Sequence, residues 1–333
     1  MSLIEVRDVS KVFQVFDRKE GVWGGIQNLF FRRYRPLKAV DGISFSIETG
    51  EMVGYIGANG AGKSTTIKML TGILVPSGGG VISNGFVPYR DRSQYTRSIG
   101  VVFGQRTQLW WDIAVIESFH LIRRIYAIPE RDYRSRLELF GKVLDLTPLL
   151  HTPVRKLSLG QRMRCDLAAA FLHNPRIVFL DEPTIGLDVV AKENIRQFLR
   201  DINQELKVTV LLTTHDLSDI EKLCRRILII DHGRILFDGR LDELRQRLAC
   251  KSQLRLELKE PVQIAAGRLS IPAEVEVAQL DEMHCQFIFD KRQVSSGDLI
   301  RTLVNSLPVK DLSLEDTTIE EIVREIYRKG DLN

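Results

Sequence analysis

The chain has 333 residues, enough for two domains. Hydrophobic residues make up 44% and charged residues 27%, the balance of a chain able to bury a core, and the formal net charge of +4 is too small to mark a nucleic-acid binder. No stretch approaches the ~18 uninterrupted apolar residues of a membrane span, and runs such as 208–212 and 227–230 have strand length, so no membrane span is predicted.

The N-terminus Met1-Ser2-Leu3-Ile4-Glu5 lacks a basic region followed by an apolar one, so a secretory signal is not expected. Cys165, Cys224, Cys250 and Cys285 are widely spaced, without a CxxC pair, and are expected to be buried free thiols. Charge is uneven along the chain: 241–333 hold 13 basic and 17 acidic residues, so the positive excess lies before them. Sequence character changes at the same point, from glycine-rich turns and buried strands to short alternating strands. A domain boundary is therefore placed at about 239–248.

In chain order, 17–36 come first, with Trp23, Leu29, Phe30, Phe31 and Tyr34 beside Arg32, Arg33 and Arg35. Aromatics next to a basic cluster suit a membrane interface or a partner surface, a self-packed surface hairpin, or stacking on single-stranded nucleic acid. A strand at 52–56 then runs into Gly57-Ala58-Asn59-Gly60-Ala61-Gly62-Lys63-Ser64-Thr65 and a helical stretch at 66–70. This is GxxxxGK[ST] between a strand and a helix, the context that gives the pattern its meaning. Glycines let successive N–H groups turn toward an anion, and the helix N-terminus adds its dipole. Gly57, Asn59, Gly60, Ala61, Gly62, Lys63, Ser64 and Thr65 are the candidate phosphate contacts, with Lys63 toward the β/γ-phosphates and Ser64 in a Mg²⁺ shell. The pattern predicts a nucleoside triphosphate site.

Between 106 and 156 apolar residues recur at helical spacing: Leu121, Ile122, Ile125 and Ile128, then Leu137, Phe140, Val143 and Leu144. The stretch from Arg176 through the apolar residues 177–180 reads as a buried parallel strand ending in Asp181 and Glu182, at the edge where α/β sheets bind ligands. Asp181 is expected to hold Mg²⁺ through water and Glu182 to polarise the attacking water. Farther on, Leu254, Leu256 and Leu258 would share a face, as would Val275 with Val277, and Cys285 with Phe287 and Phe289. Two overlapping capping boxes, at Thr317 and Thr318, predict a last helix with Ile319, Ile322, Val323 and Ile326 along one stripe.

Leu157-Ser158-Leu159-Gly160-Gln161 stands shortly before Asp181-Glu182-Pro183-Thr184-Ile185-Gly186-Leu187-Asp188, and Leu211-Leu212-Thr213-Thr214-His215-Asp216 follows another apolar strand. With the phosphate loop, in this order and at these separations, they resemble the nucleotide-binding subunit of an ABC transporter over about residues 3–240. The resemblance implies an α/β fold of the P-loop NTPase class: a RecA-like core with an antiparallel β part and a helical subdomain at about 106–170. The remaining 248–333 would be a small α+β accessory domain, similar to the extensions of ABC-2 exporter ATPases.

The same resemblance implies roles. Gln105 is expected to touch Mg²⁺ and sense a membrane subunit, and His215 to hold the γ-phosphate and position Glu182. Ser158, Gly160 and Gln161 open a helix predicted at 161–172 and would face the ATP of an opposite subunit, with Asp188 at the same seam. Leu159 stands where the family has glycine, which alters packing beside that phosphate. The segment 8–13 resembles the loop whose aromatic residue stacks on adenine: Phe13 is the first candidate, with Phe16, Trp23 and Tyr34 as competitors.

The function so implied is an ATPase that dimerises on ATP and Mg²⁺ and drives separate transmembrane permease subunits from the cytoplasmic face of the membrane. Its second ATP-binding subunit would be a copy or a paralogue, and its direction export. The alternative is a soluble ABC ATPase acting on nucleic acid or the ribosome. Such proteins usually carry a coiled coil, zinc modules or two cassettes, whereas this chain has one phosphate loop, no heptad run and no cysteine cluster. Intact Glu182 and His215 argue against a non-hydrolysing regulator. The lack of an Asn-Lys-x-Asp motif argues against a GTPase.

Overall fold

A computed structural model describes residues 2–16, 34–104, 106–214, 216–248, 251–262, 271–316 and 319–329. The predicted roles of Gln105 and His215, the capping residues Thr317 and Thr318, and most of the basic aromatic stretch, Trp23 and Arg32 included, lie outside the described residues. The chain divides into two compact units, Met1–Asp238 and Gly239–Asn333.

In the first unit, β1 (Ser2–Phe16) pairs antiparallel with β2 (Tyr34–Glu48) through Phe13↔Leu37 and Phe16↔Tyr34. Arg35 and Pro36 are thus strand residues within that ladder. Next come β3 (Met52–Gly57), α1 (Lys63–Leu70) and β4 (Gly78–Ser83), which completes a sheet of order β2-β1-β4. Along β2 buried residues alternate with exposed ones, as Val40, Ile43, Phe45 and Ile47 turn inward, the mark of a sheet with one wet face.

A single helical turn, α2 (Arg92–Tyr95), leads to β5 (Ile99–Phe103). The helical part follows as α3 (Val115–Ile125), α4 (Glu130–Val143) and α5 (Leu159–Phe171). Here the predicted stripe fails in part. Ile122, Ile128, Phe140 and Leu144 are buried, but Leu121, Ile125 and Val143 are exposed. The buried face of α3 runs through Val115, Ser118, Phe119 and Ile122, so a buried serine replaces the leucine that the hydrophobic pattern favoured.

The chain then runs β6 (Ile177–Asp181), α6 (Val189–Leu206), β7 (Thr209–Thr213), α7 (Leu217–Leu223), β8 (Arg226–Asp231) and β9 (Arg234–Arg240). The second sheet has the order β5-β6-β7-β3-β8-β9, and the five strands from β5 to β8 are parallel. Every residue of β3 and β7 is buried, because helices and the first sheet cover both faces, which explains their unbroken apolar runs. Parallel strands send their carboxyl ends to one edge, and the loops after β3, β5, β6 and β7 gather there.

The second unit contains α8 (Leu241–Leu248), so this segment, placed at the boundary by sequence, belongs to the accessory fold. It continues with β10 (Lys251–Leu258), β11 (Glu276–Gln279), β12 (His284–Asp290), α9 (Ser296–Ser306), β13 (Val309–Asp316) and α10 (Ile319–Lys329). Its antiparallel sheet has the order β11-β12-β10-β13. Leu254, Leu256, Leu258, Cys285, Phe287 and Phe289 form one core with Leu299 and Leu303 of α9. Val275 is buried just before β11, whereas Val277 is exposed on that edge strand, so the two do not share a covered face. Ile319, Ile322, Val323 and Ile326 of α10 are buried, and α10 packs on α8.

Candidate phosphate and metal site

The site begins with the turn after β3. Gly60 and Gly62 have φ of 84° and 112°, in the left-handed region that glycine enters without penalty. Gly62 is also short of space, since a Cβ there would lie 2.5 Å from Ala39 O. No side chain caps α1, so the N–H groups of its first turn are not taken by a capping oxygen. The helix starts at Lys63, three residues before the sequence pattern placed it, because the GK[ST] residues are themselves its first turn. Ala58, Asn59 and Gly60 form the exposed crest of this loop.

Lys63 is 6% exposed and donates from Nζ to Gly57 O at 2.6 Å and Ala58 O at 3.1 Å. Burial pulls its pKa below the ordinary lysine value, opposed by the charges of Glu182 and Asp181. The ammonium is thus folded onto its own loop, in the field of the two carboxylates.

Ser64, Asp181 and Glu182 line one cavity of about 370 Å³, together with Gly104 and the cations Lys68 and Arg106. The register explains the convergence: Asp181 ends β6, opposite Phe103 of β5 and Thr213 of β7. Thr213 Oγ1 donates to Asp181 Oδ1 at 2.5 Å. Glu182 leaves the strand with φ 56°, uncommon for a non-glycine residue, and its N–H donates to Thr213 O at 2.9 Å. A residue held there against its preference is a candidate functional position. The strand covers Ile177–Asp181, one residue later than predicted at its start, which makes Asp181 its last member. A hydroxyl and carboxylate oxygens on one cavity form the donor set that a hard divalent cation takes.

The loop after β7 is fastened by a buried network. Asp219, fully buried, accepts from Thr184 Oγ1 at 2.5 Å, Arg196 Nε at 2.6 Å and Thr214 Oγ1 at 3.4 Å. Lys192 Nζ pairs with Asp216 at 2.5 Å, and Asp216 caps α7 by accepting from Ser218 N. Asp216 has its pKa brought down to about 2: burial pushes it up, and Lys192 and Ser218 outweigh that. Sequence reading missed Asp219 and Arg196; an acid four residues past His215 and an arginine inside an amphipathic helix were the available signs.

Ser158 is the N-cap of α5. Its Oγ accepts from Gln161 N at 3.2 Å, while Gln161 Oε1 accepts from Ser158 N at 2.9 Å, a complete capping box. The helix opens at Leu159, two residues earlier than predicted. Gly160 lies beside Leu187 and Ala191, and a Cβ on Gly186 would meet Leu159 Cδ2 at 2.9 Å. Leu159 thus packs on the turn leading to Asp188, which caps α6 by accepting from Ala191 N at 2.8 Å. These signature residues do not line the cavity that holds Ser64 and Glu182. Phe13 is half-buried in β1 with Lys11 Nζ 5.3 Å from its ring centre, and Tyr34 is exposed.

A phosphate loop on the central strand of a parallel sheet, with two acids at the end of β6, one strand removed across β7, defines a P-loop ATPase. Residues 40–185 match the ABC transporter family. The chain is 32% identical to the ABC transporter ATP-binding protein NatA of Bacillus subtilis over 65% of this chain and 87% of that one. It is also 29% identical to the daunorubicin resistance ATP-binding protein DrrA3 of Streptomyces coeruleorubidus, over 87% of this chain and 92% of that one. Among solved structures, a dimeric ATP-binding cassette in a post-hydrolysis state with ADP and Pi superposes with a TM-score of 0.60 at 26% identity, covering 72% of this chain and 98% of that one. The chain belongs to the ABC transporter family as an ATP-binding subunit, and its chemistry is ATP hydrolysis. Nothing among these similarities supports action on nucleic acid or the ribosome. Among the described residues, no helix is long and apolar enough to cross a membrane.

Proposed function

We propose that two ATP-binding subunits, this chain with a copy or a paralogue, close on ATP and thereby drive separate transmembrane permease subunits from the cytoplasmic face of the membrane. The reading rests above all on the split site: Ser64, Asp181 and Glu182 share a cavity, whereas Ser158 caps a helix outside it. A second chain would bring its own Ser158, Gly160 and Gln161 to the phosphate held by Lys63 and the N–H groups of α1. Asp188, which caps a helix beside the signature turn, would meet the same seam.

In hydrolysis, Glu182 accepts the proton of the attacking water, and the strained turn after β6 aims its carboxylate from beside the phosphate loop. Lys63 exchanges its two loop carbonyls for phosphate oxygens, and the charges of Asp181 and Glu182 favour its ammonium form. Ser64, Asp181 and Gln105 would hold Mg²⁺, which when bound offsets the negative charge of the phosphates. His215, next to the fastened Thr214 and Asp216, would hold the γ-phosphate, and Phe13 would stack on adenine. Export is the favoured direction, because likeness to a drug-resistance subunit extends over 87% of this chain and so reaches into the second unit.

Glu182→Gln keeps the shape and removes the base. With ATP it should hold a stable dimer in size-exclusion chromatography and hydrolyse about 10²-fold or more slowly. Wild-type turnover by this variant, or a strict monomer with ATP, would overturn the reading. Direction is decided in membranes containing the permease, by following cargo into or out of vesicles.

A further inference from the structure

One buried acid has no part in the site described. Asp166 is 3% exposed in the middle of α5, among Cys165, Leu167, Ala168 and Ala169. Its Oδ1 accepts from Thr107 Oγ1 at 2.8 Å and from Gln108 N at 3.0 Å. Gln108 Nε2 donates in turn to Asp166 O at 2.8 Å, and Leu109 N to Thr107 Oγ1 at 3.1 Å. All these partners lie within 107–109, in the loop that follows β5. The helix carrying Asp166 is the one that Ser158 caps. One side chain therefore joins the strand end beside Glu182, where Gly104 N donates to Asp181 O at 2.7 Å, to the helix that bears the signature.

We propose that Asp166 is a positioning residue for ATP hydrolysis: its carboxylate clasps the segment 107–109, which follows β5, to α5, so that this segment and Ser158 move as one body. A helix transmits a displacement along its axis, so a shift at 107–109 reaches Ser158 with little loss. The clasp needs an acceptor at this place rather than a charge. Burial pushes its pKa up to about 6, opposed by Thr107, Gln108 and Arg162 one turn earlier on α5, so the ionised form is held at a cost. An uncharged residue would spare the fold that cost, but an apolar one would leave Gln108 N and Thr107 Oγ1 without their acceptor.

The proposal rests on the hydrolytic reading above, and the test separates the two. In the full chain, kcat, KM and the affinity for a fluorescent ATP analogue are measured for wild type, Glu182→Gln, Asp166→Ala and Asp166→Asn, with melting temperatures alongside. Asp166→Ala should lower kcat about tenfold or more while KM and nucleotide affinity stay within about twofold. Asp166→Asn should recover most of the rate, since its amide oxygen still accepts from Thr107 and Gln108. Should Asp166→Ala fail to fold, Thr107→Val removes one donor to Asp166 together with the acceptor of Leu109 N, leaves the Gln108 N contact in place, and should give a smaller loss of the same kind. Wild-type kcat in Asp166→Ala, or in Thr107→Val where that is the variant tested, overturns the clasp, as does a loss confined to ATP affinity or an Asp166→Asn variant as slow as the alanine one. A wild-type chain that does not hydrolyse ATP, or unchanged turnover in Glu182→Gln, would instead remove the hydrolytic reading.

Discussion

Replacing Gly104 by alanine tests whether the placement of Glu182 sets the rate. A Cβ on Gly104 would lie 2.1 Å from Glu182 O and 3.1 Å from Asp181 O. Carbon and oxygen ordinarily approach no closer than about 3.3 Å, so Glu182 or the end of β5 must retreat by roughly 1 Å. Overpacking of this kind costs about 1–3 kcal/mol of stability. Glu182 is poorly able to absorb it, because its φ of 56° already places it in a sparsely populated region. A catalytic group misplaced by about 1 Å loses on the order of 10²-fold in rate. Gly104→Ala should therefore fold with a melting point lower by a few degrees and turn over ATP about 100-fold more slowly, yet bind the nucleotide within about twofold of wild type. Phosphate release, nucleotide titration and thermal melting measure the three quantities. Full-rate hydrolysis by a folded Gly104→Ala protein would refute the reasoning, because the crowded carbonyl of Glu182 would then have no bearing on the chemistry.

Asp219→Ala leaves the buried Arg196 guanidinium with only the exposed Glu193 carboxylate and should cost up to about 3–5 kcal/mol, read as a shift in the urea midpoint; the double substitution Asp219→Leu with Arg196→Met should restore much of it. Asp166→Asn should stabilise at neutral pH, because a carboxyl whose folded pKa is raised to about 6 costs stability above pH 6 and ceases to cost any as pH falls through 6 and below its ordinary 3.8. The gain, up to about 3 kcal/mol near pH 7.5, should shrink to nothing by about pH 4, as a melting series across pH would record. Phe13→Ala should raise KM for ATP roughly tenfold with kcat at saturation unchanged, the size of one base–aromatic stacking contact. An unaltered KM would move the adenine platform to another aromatic residue.

The phosphate loop and the two acids were legible because their chemistry is written in adjacent residues: glycines where the backbone turns, then Lys63 and Ser64, and an apolar strand ending in Asp181 and Glu182. The alternation in β10 and β12 was legible for a similar reason, since a two-residue period survives without any knowledge of partners. What escaped depends on contacts distant in sequence. Leu121 and Ile125 fit a helical stripe, but the neighbours of α3 select the face with Phe119 and Ser118, whose Oγ accepts from Trp110 N. Gly104 looks like any loop glycine until β5 and β6 align and bring Glu182 O against it. Asp166, Arg196 and Asp219 drew no role from the sequence and are buried because their partners come from other elements. The start of α5 was placed late because the capping box runs from Ser158 to Gln161, which makes Leu159 and Gly160 the first two helical residues, whereas the helix was counted from Gln161.

The fastening around Asp219 explains why strain at Glu182 is sustainable. Strand pairing stops at Asp181 and Thr213, so the residues that follow have no ladder to hold them. Thr184, two residues past Glu182, and Thr214, immediately before His215, are both tied to one carboxylate, and Arg196 ties that carboxylate to α6. Such a buried pair adds little net stability, because desolvation offsets its attraction. It supplies geometry instead: a rigid helix capped by Asp188 at one end and joined through Arg196 to the two loops beside the phosphate cavity. In the dimer proposed above, a second chain engaging Asp188 would therefore act on Thr184 and Thr214 together, through contacts already formed within a single chain.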